Sequence, residues 1–244
     1  MKNIKAYIAE AIGTFVLVFF ACGVAALTGG NLVPTALSFG FVIFAMAYSI
    51  GEISGCHINP AVSLGCLLTK RMSVKDFCGY IVGQLVGGIV GAVAVFGIMK
   101  MAGVTNVVGS VLPTQINYAT AAGNFVIGGE LTGGAIVASL LTEIVLTCVF
   151  VYVILNVTDG KNGAGKYAGI IIGVTLILVH LLGIGLTGTS VNPARSIATA
   201  IGNAIFGGKA DALAQVWMFI VGPMAGAACA AVLYNVLHGK KVSE

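Results

Sequence analysis

Charge is what this sequence has least of. Only 8% of its 244 residues are Asp, Glu, Lys or Arg, against about 25% in soluble domains. So little charge excludes an ordinary water-facing surface. It also excludes a nucleic-acid interface, because the formal charge of +4 is spread thinly and no basic cluster is dense or aromatic enough to track phosphates. The six cysteines, Cys22, Cys56, Cys66, Cys78, Cys148 and Cys229, lack metal-ligand spacing. Most sit inside apolar runs, where a thiol behaves as a small hydrophobe, and no disulfide framework is indicated. No nucleophile–base set and no cofactor motif stands out, so the sequence does not read as an enzyme, and neither a metal nor a cofactor is expected.

What it has instead is apolar length. Mean hydropathy is +1.05. Six runs, near 7–27, 32–50, 77–99, 135–157, 167–186 and 213–237, match the ~20 helical residues needed to cross roughly 30 Å of hydrocarbon. The first run is long and lacks a clear small-residue cleavage site, so it reads as a span and not as a signal peptide. An even number of spans puts both termini on one side. Lys2, Lys5, Lys70, Arg71, Lys75, Lys161, Lys166, Lys240 and Lys241 then share that side, with Lys100 and Lys209 opposite. By the positive-inside rule the termini are cytoplasmic, in a multi-pass protein of the plasma or inner membrane. The 35 glycines, in runs such as Gly83, Gly87 and Gly91, suit close helix approach in lipid.

The chain also repeats itself. Asn59-Pro60-Ala61 recurs as Asn192-Pro193-Ala194. The same separation along the chain joins Glu10 to Glu143, Thr14 to Thr147, Gly40 to Gly173 and Gly55 to Gly188. Gly83 and Gly87 match Gly222 and Gly226 at a slightly longer separation, so the second copy carries a short insertion. The chain therefore reads as one domain of two copies, about 1–102 and 135–244, joined by an outer linker over 103–134. Each copy holds three spans, an odd number, so the second enters the membrane inverted. Inverted repeats put the functional site near the midplane, between the copies.

Each triplet reads as a helix start. Asn is a strong N-cap through its side-chain oxygen, and Pro suits the first helical position. Helices from Pro60 to about Lys70 and from Pro193 to about Asn203 would be about 16 Å long, half the hydrocarbon thickness. Irregular backbone at that depth requires a water-filled cavity or burial in protein. Capping would occupy the oxygens of Asn59 and Asn192 and leave each NH₂ as a free donor at the midplane. The positive ends of both half-helix dipoles, roughly +0.5 charge each, would meet there, orienting water and repelling cations and protons. Ala61 and Ala194 are small enough for the two starts to approach closely.

The paired triplets, the Glu10/Glu143 repeat and the run Asn192-Pro193-Ala194-Arg195-Ser196 resemble the aquaporin, or major intrinsic protein, family over nearly the whole chain, and within it the bacterial aquaporin Z type. The resemblance implies an all-α membrane protein: six tilted transmembrane helices in a right-handed bundle plus two re-entrant half-helices, assembled as a homotetramer with one water pore per subunit. It implies passive water conduction for osmoregulation, with water as permeant. The family's constriction maps by distance from the triplets onto Phe39, His180, Thr189 and Arg195. That set looks water-selective, since glycerol-conducting relatives typically have Gly where His180 stands and Asp where Ser196 stands. One departure is Ile220 after Phe219, where water-type members often carry an aromatic pair. Independently of family, an Arg inside the membrane costs roughly 2.5–3.5 kcal/mol on insertion scales and generally faces a cavity.

Other positions carry two readings. Glu10 and Glu143 could be functional intramembrane carboxylates, or could brace each re-entrant loop by accepting backbone N–H groups, which their symmetric placement favours. His57 lines an inner vestibule or is structural. Glu52 is a contact on the side of the termini or simply solvated. His180 and Phe39 have the plainer alternative of core or lipid-facing packing. Cys56 stands three residues before Asn59 as Thr189 stands before Asn192, so pseudo-symmetry puts it near the lumen on the inner side, where mercurials would block flux. Two other functions compete: a glycerol or small-neutral-solute facilitator of the same fold, which His180 and Ser196 argue against, and an ion-coupled secondary transporter. The latter needs paired ionisable groups at the midplane, and only the symmetric glutamates are offered.

Overall fold

The computed structural model describes residues 2–104, 117–119, 125–127, 132–160, 163–207 and 211–238. Lys161, Lys209, Lys240 and Lys241, and most of the 103–134 linker, lie outside these. The chain folds into six long apolar helical spans, as the hydropathy runs require. The first consists of α1 (Lys2–Val16), a π-helical stretch (Leu17–Cys22) and α2 (Gly23–Leu27). The others are α3 (Leu32–Ser54), α5 (Val74–Met101), α6 (Gly133–Val157), α7 (Ala168–Thr187) and α10 (Met218–His238). Two shorter helices begin at the triplets: α4 (Pro60–Leu68) and α8 (Pro193–Gly207). The second outruns the expected end near Asn203 by about a turn, and the first stops two residues short of Lys70. A further short helix, α9 (Asp211–Gln215), precedes α10. In the linker, β1 (Asn117–Ala119) pairs antiparallel with β2 (Phe125–Ile127).

Local chemistry explains the ends. Ser73 Oγ accepts from the Asp76 amide (3.1 Å) and Thr132 Oγ1 from the Ala135 amide (3.2 Å), capping α5 and α6. α3 and α7 stop at Gly55 (φ +84°) and Gly188 (φ +74°), in the left-handed conformation that glycine adopts most easily. Beyond each glycine, two side-chain-bearing residues share that conformation: Cys56 (+52°) and Ile58 (+40°) in one loop, Thr189 (+55°) and Val191 (+45°) in the other. Such angles are uncommon, and for β-branched residues they are strained; surrounding contacts must hold them.

The outer surface of the bundle is apolar, and a few polar side chains are sealed inside an otherwise apolar core. Val82, Val86 and Val90 on α5 and Leu178 and Leu182 on α7 face outward, whereas Glu10, Gln84, Glu143, His180 and Arg195 are buried. Helices approach through missing side chains. A Cβ on Gly87 would strike the Ala11 carbonyl of α1, and one on Gly226 the Ile144 carbonyl of α6. Gly40 and Gly173 face one another where α3 crosses α7: a Cβ on either would lie 2.6 or 2.7 Å from the other's carbonyl oxygen.

Candidate functional site

The two re-entrant segments meet inside the bundle. Asn59 Oδ1 caps α4 by accepting from the Ala61 amide (2.8 Å), and Asn192 Oδ1 accepts from the Arg195 amide (3.2 Å). The amide groups cross over: Asn59 Nδ2 donates to the Val191 carbonyl (2.7 Å) and Asn192 Nδ2 to the Ile58 carbonyl (2.9 Å). This corrects the expectation of a wholly free NH₂. One N–H of each Asn ties the two loops together, which leaves one N–H apiece for the lumen.

Each loop hangs on a buried carboxylate. Glu10 Oε1 accepts from Ser54 Oγ (2.6 Å) and the His57 amide (2.9 Å), and Oε2 from the Ile58 amide (2.5 Å) and Gln84 Nε2 (2.7 Å). Glu143 Oε1 accepts from Thr187 Oγ1 (2.7 Å) and the Ser190 amide (2.9 Å), and Oε2 from the Val191 amide (2.8 Å). These bonds explain how Ile58 and Val191 are kept at positive φ. Charge-assisted bonds of this kind are about twice as strong as neutral ones.

Sequence reading missed Gln84, an amide isolated in an apolar run. Besides Glu10 it reaches Ser63 Oγ (3.2 Å), which in turn lies 3.0 Å from His57 Nδ1. The second half uses another device at the matching position, Pro223. Lacking an N–H, proline cannot close the α10 bond to the Phe219 carbonyl, and that carbonyl instead accepts from Ser190 Oγ at 3.4 Å. Phe219 therefore touches the second loop, nearer the site than its sequence suggests.

Three cavities with shared lining residues follow one another inside the bundle. Glu52, Asp159 and Lys166 line a mouth of about 490 Å³ on the side of the termini. Gly55, Thr158 and Ile172 also border the next cavity, a vestibule of about 200 Å³ lined by Cys56, His57, Cys66 and Arg71 as well. Ile43, His57 and Phe150 are shared with the third space, at Asn59, Asn192, Phe39, His180 and Arg195. There only about 10 Å³ is open to the centre of a water-sized sphere, the room of about one water.

At that narrow end the His180 ring stacks on Phe39 with centroids 4.1 Å apart, and the Arg195 guanidinium lies 5.3 Å from the Phe39 centroid. His180 Nδ1 is 2.9 Å from the Leu176 carbonyl. His180 Nε2 and Arg195 Nε and Nη1 are buried without a partner among the described residues, so polar groups and an apolar wall converge on one point. Thr189 stands apart. It is buried, does not line this space, and its hydroxyl oxygen also has no partner among the described residues.

A bundle of six apolar spans, with two helices starting head to head beside a narrow, largely apolar lumen that a few polar groups enter, defines a multi-pass membrane channel. The sequence pattern of the family described as Major intrinsic protein matches residues 1–234, and the chain belongs to that family. It is similar to aquaporin Z of Rhodopseudomonas palustris (38% identity, 96% of this chain and 94% of the relative) and to aquaporin Z of Bradyrhizobium diazoefficiens (38%, with the same coverage). It is also 36% identical to glycerol uptake facilitator protein-like 6 of Lactiplantibacillus plantarum, over 96% of this chain and 98% of that one. Among solved structures, the aquaglyceroporin from Plasmodium falciparum shares the fold (TM-score 0.83, 23% identity, 97% of each chain).

Proposed function

We propose that the chain is a passive, water-selective pore that conducts water down osmotic gradients and excludes ions and protons. The observation that carries this reading is the constriction: Phe39, His180 and Arg195 converge where there is room for about one water, too little for a carbon chain with hydroxyl groups. The remaining N–H of Asn59 and of Asn192 would hold a water's oxygen, turning its hydrogens outward. Two opposed helix N-termini add a positive potential at the same depth. We further propose two inverted repeats around one pore, cytoplasmic termini and a homotetramer in the cell membrane. The relatives named for water and the one named for glycerol uptake leave glycerol conduction as the second reading. Stopped-flow light scattering on proteoliposomes separates the two. Fast shrinkage under a sucrose gradient without accelerated glycerol re-swelling supports water selectivity; rapid re-swelling overturns it.

A further inference from the structure

By sequence Arg71 is one of several positive charges on the side of the termini. In the structure it is the one charged side chain, among the described residues, that lines the middle vestibule. It follows α4 by three residues, after Lys70 at φ +59°, and three contacts hold it. Nη2 donates to the Leu155 carbonyl (2.8 Å), Nη1 donates to Thr158 Oγ1 (3.1 Å), and Cζ lies 4.7 Å from the centroid of the Tyr234 ring. Both hydrogen-bond acceptors are neutral, so neither cancels the guanidinium charge. Carboxylates flank it on both sides: Glu10, behind the vestibule, accepts from the His57 amide (2.9 Å), and Asp159 follows Thr158 in the chain. Asp159 accepts from the Tyr234 hydroxyl (2.6 Å) and, with Glu52 and Lys166, lines the wider mouth.

A solute entering from this side thus meets mixed charges first and then a space walled by Ile43, Val62, Phe150 and Ile154, in which the one charged side chain that reaches the lining is the Arg71 cation, with Glu10 behind the wall. Apolar walls focus such a field. The other end of the path has the same arrangement, Arg195 over Phe39. The two are not copies of one another: the position matching Arg195 in the first half is Val62, and the position matching Arg71 in the second is Ala204. We propose that Arg71 is a second charge-selecting residue of the pore, which disfavours cations and favours small anions in the vestibule before the midplane is reached. The proposal rests on the chain forming a pore but not on which solute passes.

Cys56 lines the same vestibule and can report the local potential. The test uses the full chain in lipid nanodiscs, where both faces are open to reagent, with Cys22, Cys66, Cys78, Cys148 and Cys229 replaced by Ala or Ser. Modification of Cys56 by an anionic and by a cationic methanethiosulfonate of similar size is timed by mass spectrometry. Both reagents attack the same thiolate, so the ratio of their rates reads potential and not nucleophilicity. Relative to Arg71→Gln, the unaltered protein should favour the anionic reagent by about tenfold, the low end of electrostatic steering; Glu10 sets the baseline in both. Arg71→Lys should keep most of that preference. Raising salt in the unaltered background should weaken it as the Debye length falls from about 10 Å to about 3 Å. An anionic-to-cationic ratio left unchanged by Arg71→Gln overturns the proposal. Stopped-flow water flux on the same protein tests the pore separately.

Discussion

His180 of α7 lies stacked on Phe39 of α3, ring planes 21° from parallel. The crossing of their parent helices lets the rings meet: Gly40, next to Phe39, opposes Gly173, two turns before His180. The width of the narrow space thus depends on a backbone contact between two glycines that do not themselves line it. His180→Gly removes the ring that fills the constriction, and should raise glycerol re-swelling by at least roughly tenfold, the scale on which pocket shape discriminates solutes. Unchanged glycerol permeability in that variant would mean that another residue limits the pore.

The carboxylate braces should be costly to alter. Glu143→Gln keeps the shape but turns an acceptor into an NH₂ that faces hydrogen-bond donors. The cost should be about 1–3 kcal/mol for each buried bond lost. It should appear as a lower thermal midpoint in detergent together with reduced water flux. Glu10→Gln should behave alike, with an added loss where Gln84 now donates. Wild-type midpoints in both variants would show that the loops are held by something else.

Mercurials should slow water flux by reacting at Cys56, and Cys56→Ser should remove most of the block. Cys66 opens onto the same vestibule and is mostly buried, so it should carry the remainder of the effect. Inhibition that survives Cys56→Ser unchanged counts against this position.

Gly87→Ala should destabilise the bundle, because the new methyl would be driven into the Ala11 carbonyl of α1. Overpacking of this kind costs about 1–3 kcal/mol. Gly51→Ala, where nothing lies within 4 Å of the added carbon, should leave the midpoint unchanged. Equal midpoints for the two variants would show that α1 and α5 can separate without cost.

Much of this protein was legible in the chain. Hydrophobic runs long enough to cross the bilayer dictate six spans, since a single apolar run of that length can pair its own backbone in lipid only as a helix. Caps and breakers at Asn59, Pro60, Asn192 and Pro193 dictate where two further helices begin. The recurrence of the triplet, carried back along the chain, pairs Glu10 with Glu143 before any contact is known. These signals are local, or are simple copies, and both leave a mark in sequence order.

What the sequence could not show was decided by contacts between distant elements. That each Asn gives one N–H to the opposite loop depends on two half-helices from opposite halves of the chain meeting head to head. That Gln84 serves Glu10 while its counterpart Pro223 instead frees a carbonyl for Ser190 follows from how α5 and α10 lie against the loops. Arg71 looked like one more positive charge on the side of the termini; only the convergence of α4, α6 and α10 turns it into the vestibule. A linear chain specifies which groups must find partners inside the membrane, and only the packed bundle specifies which partners they find, because each such pairing depends on the distance between backbones far apart in sequence.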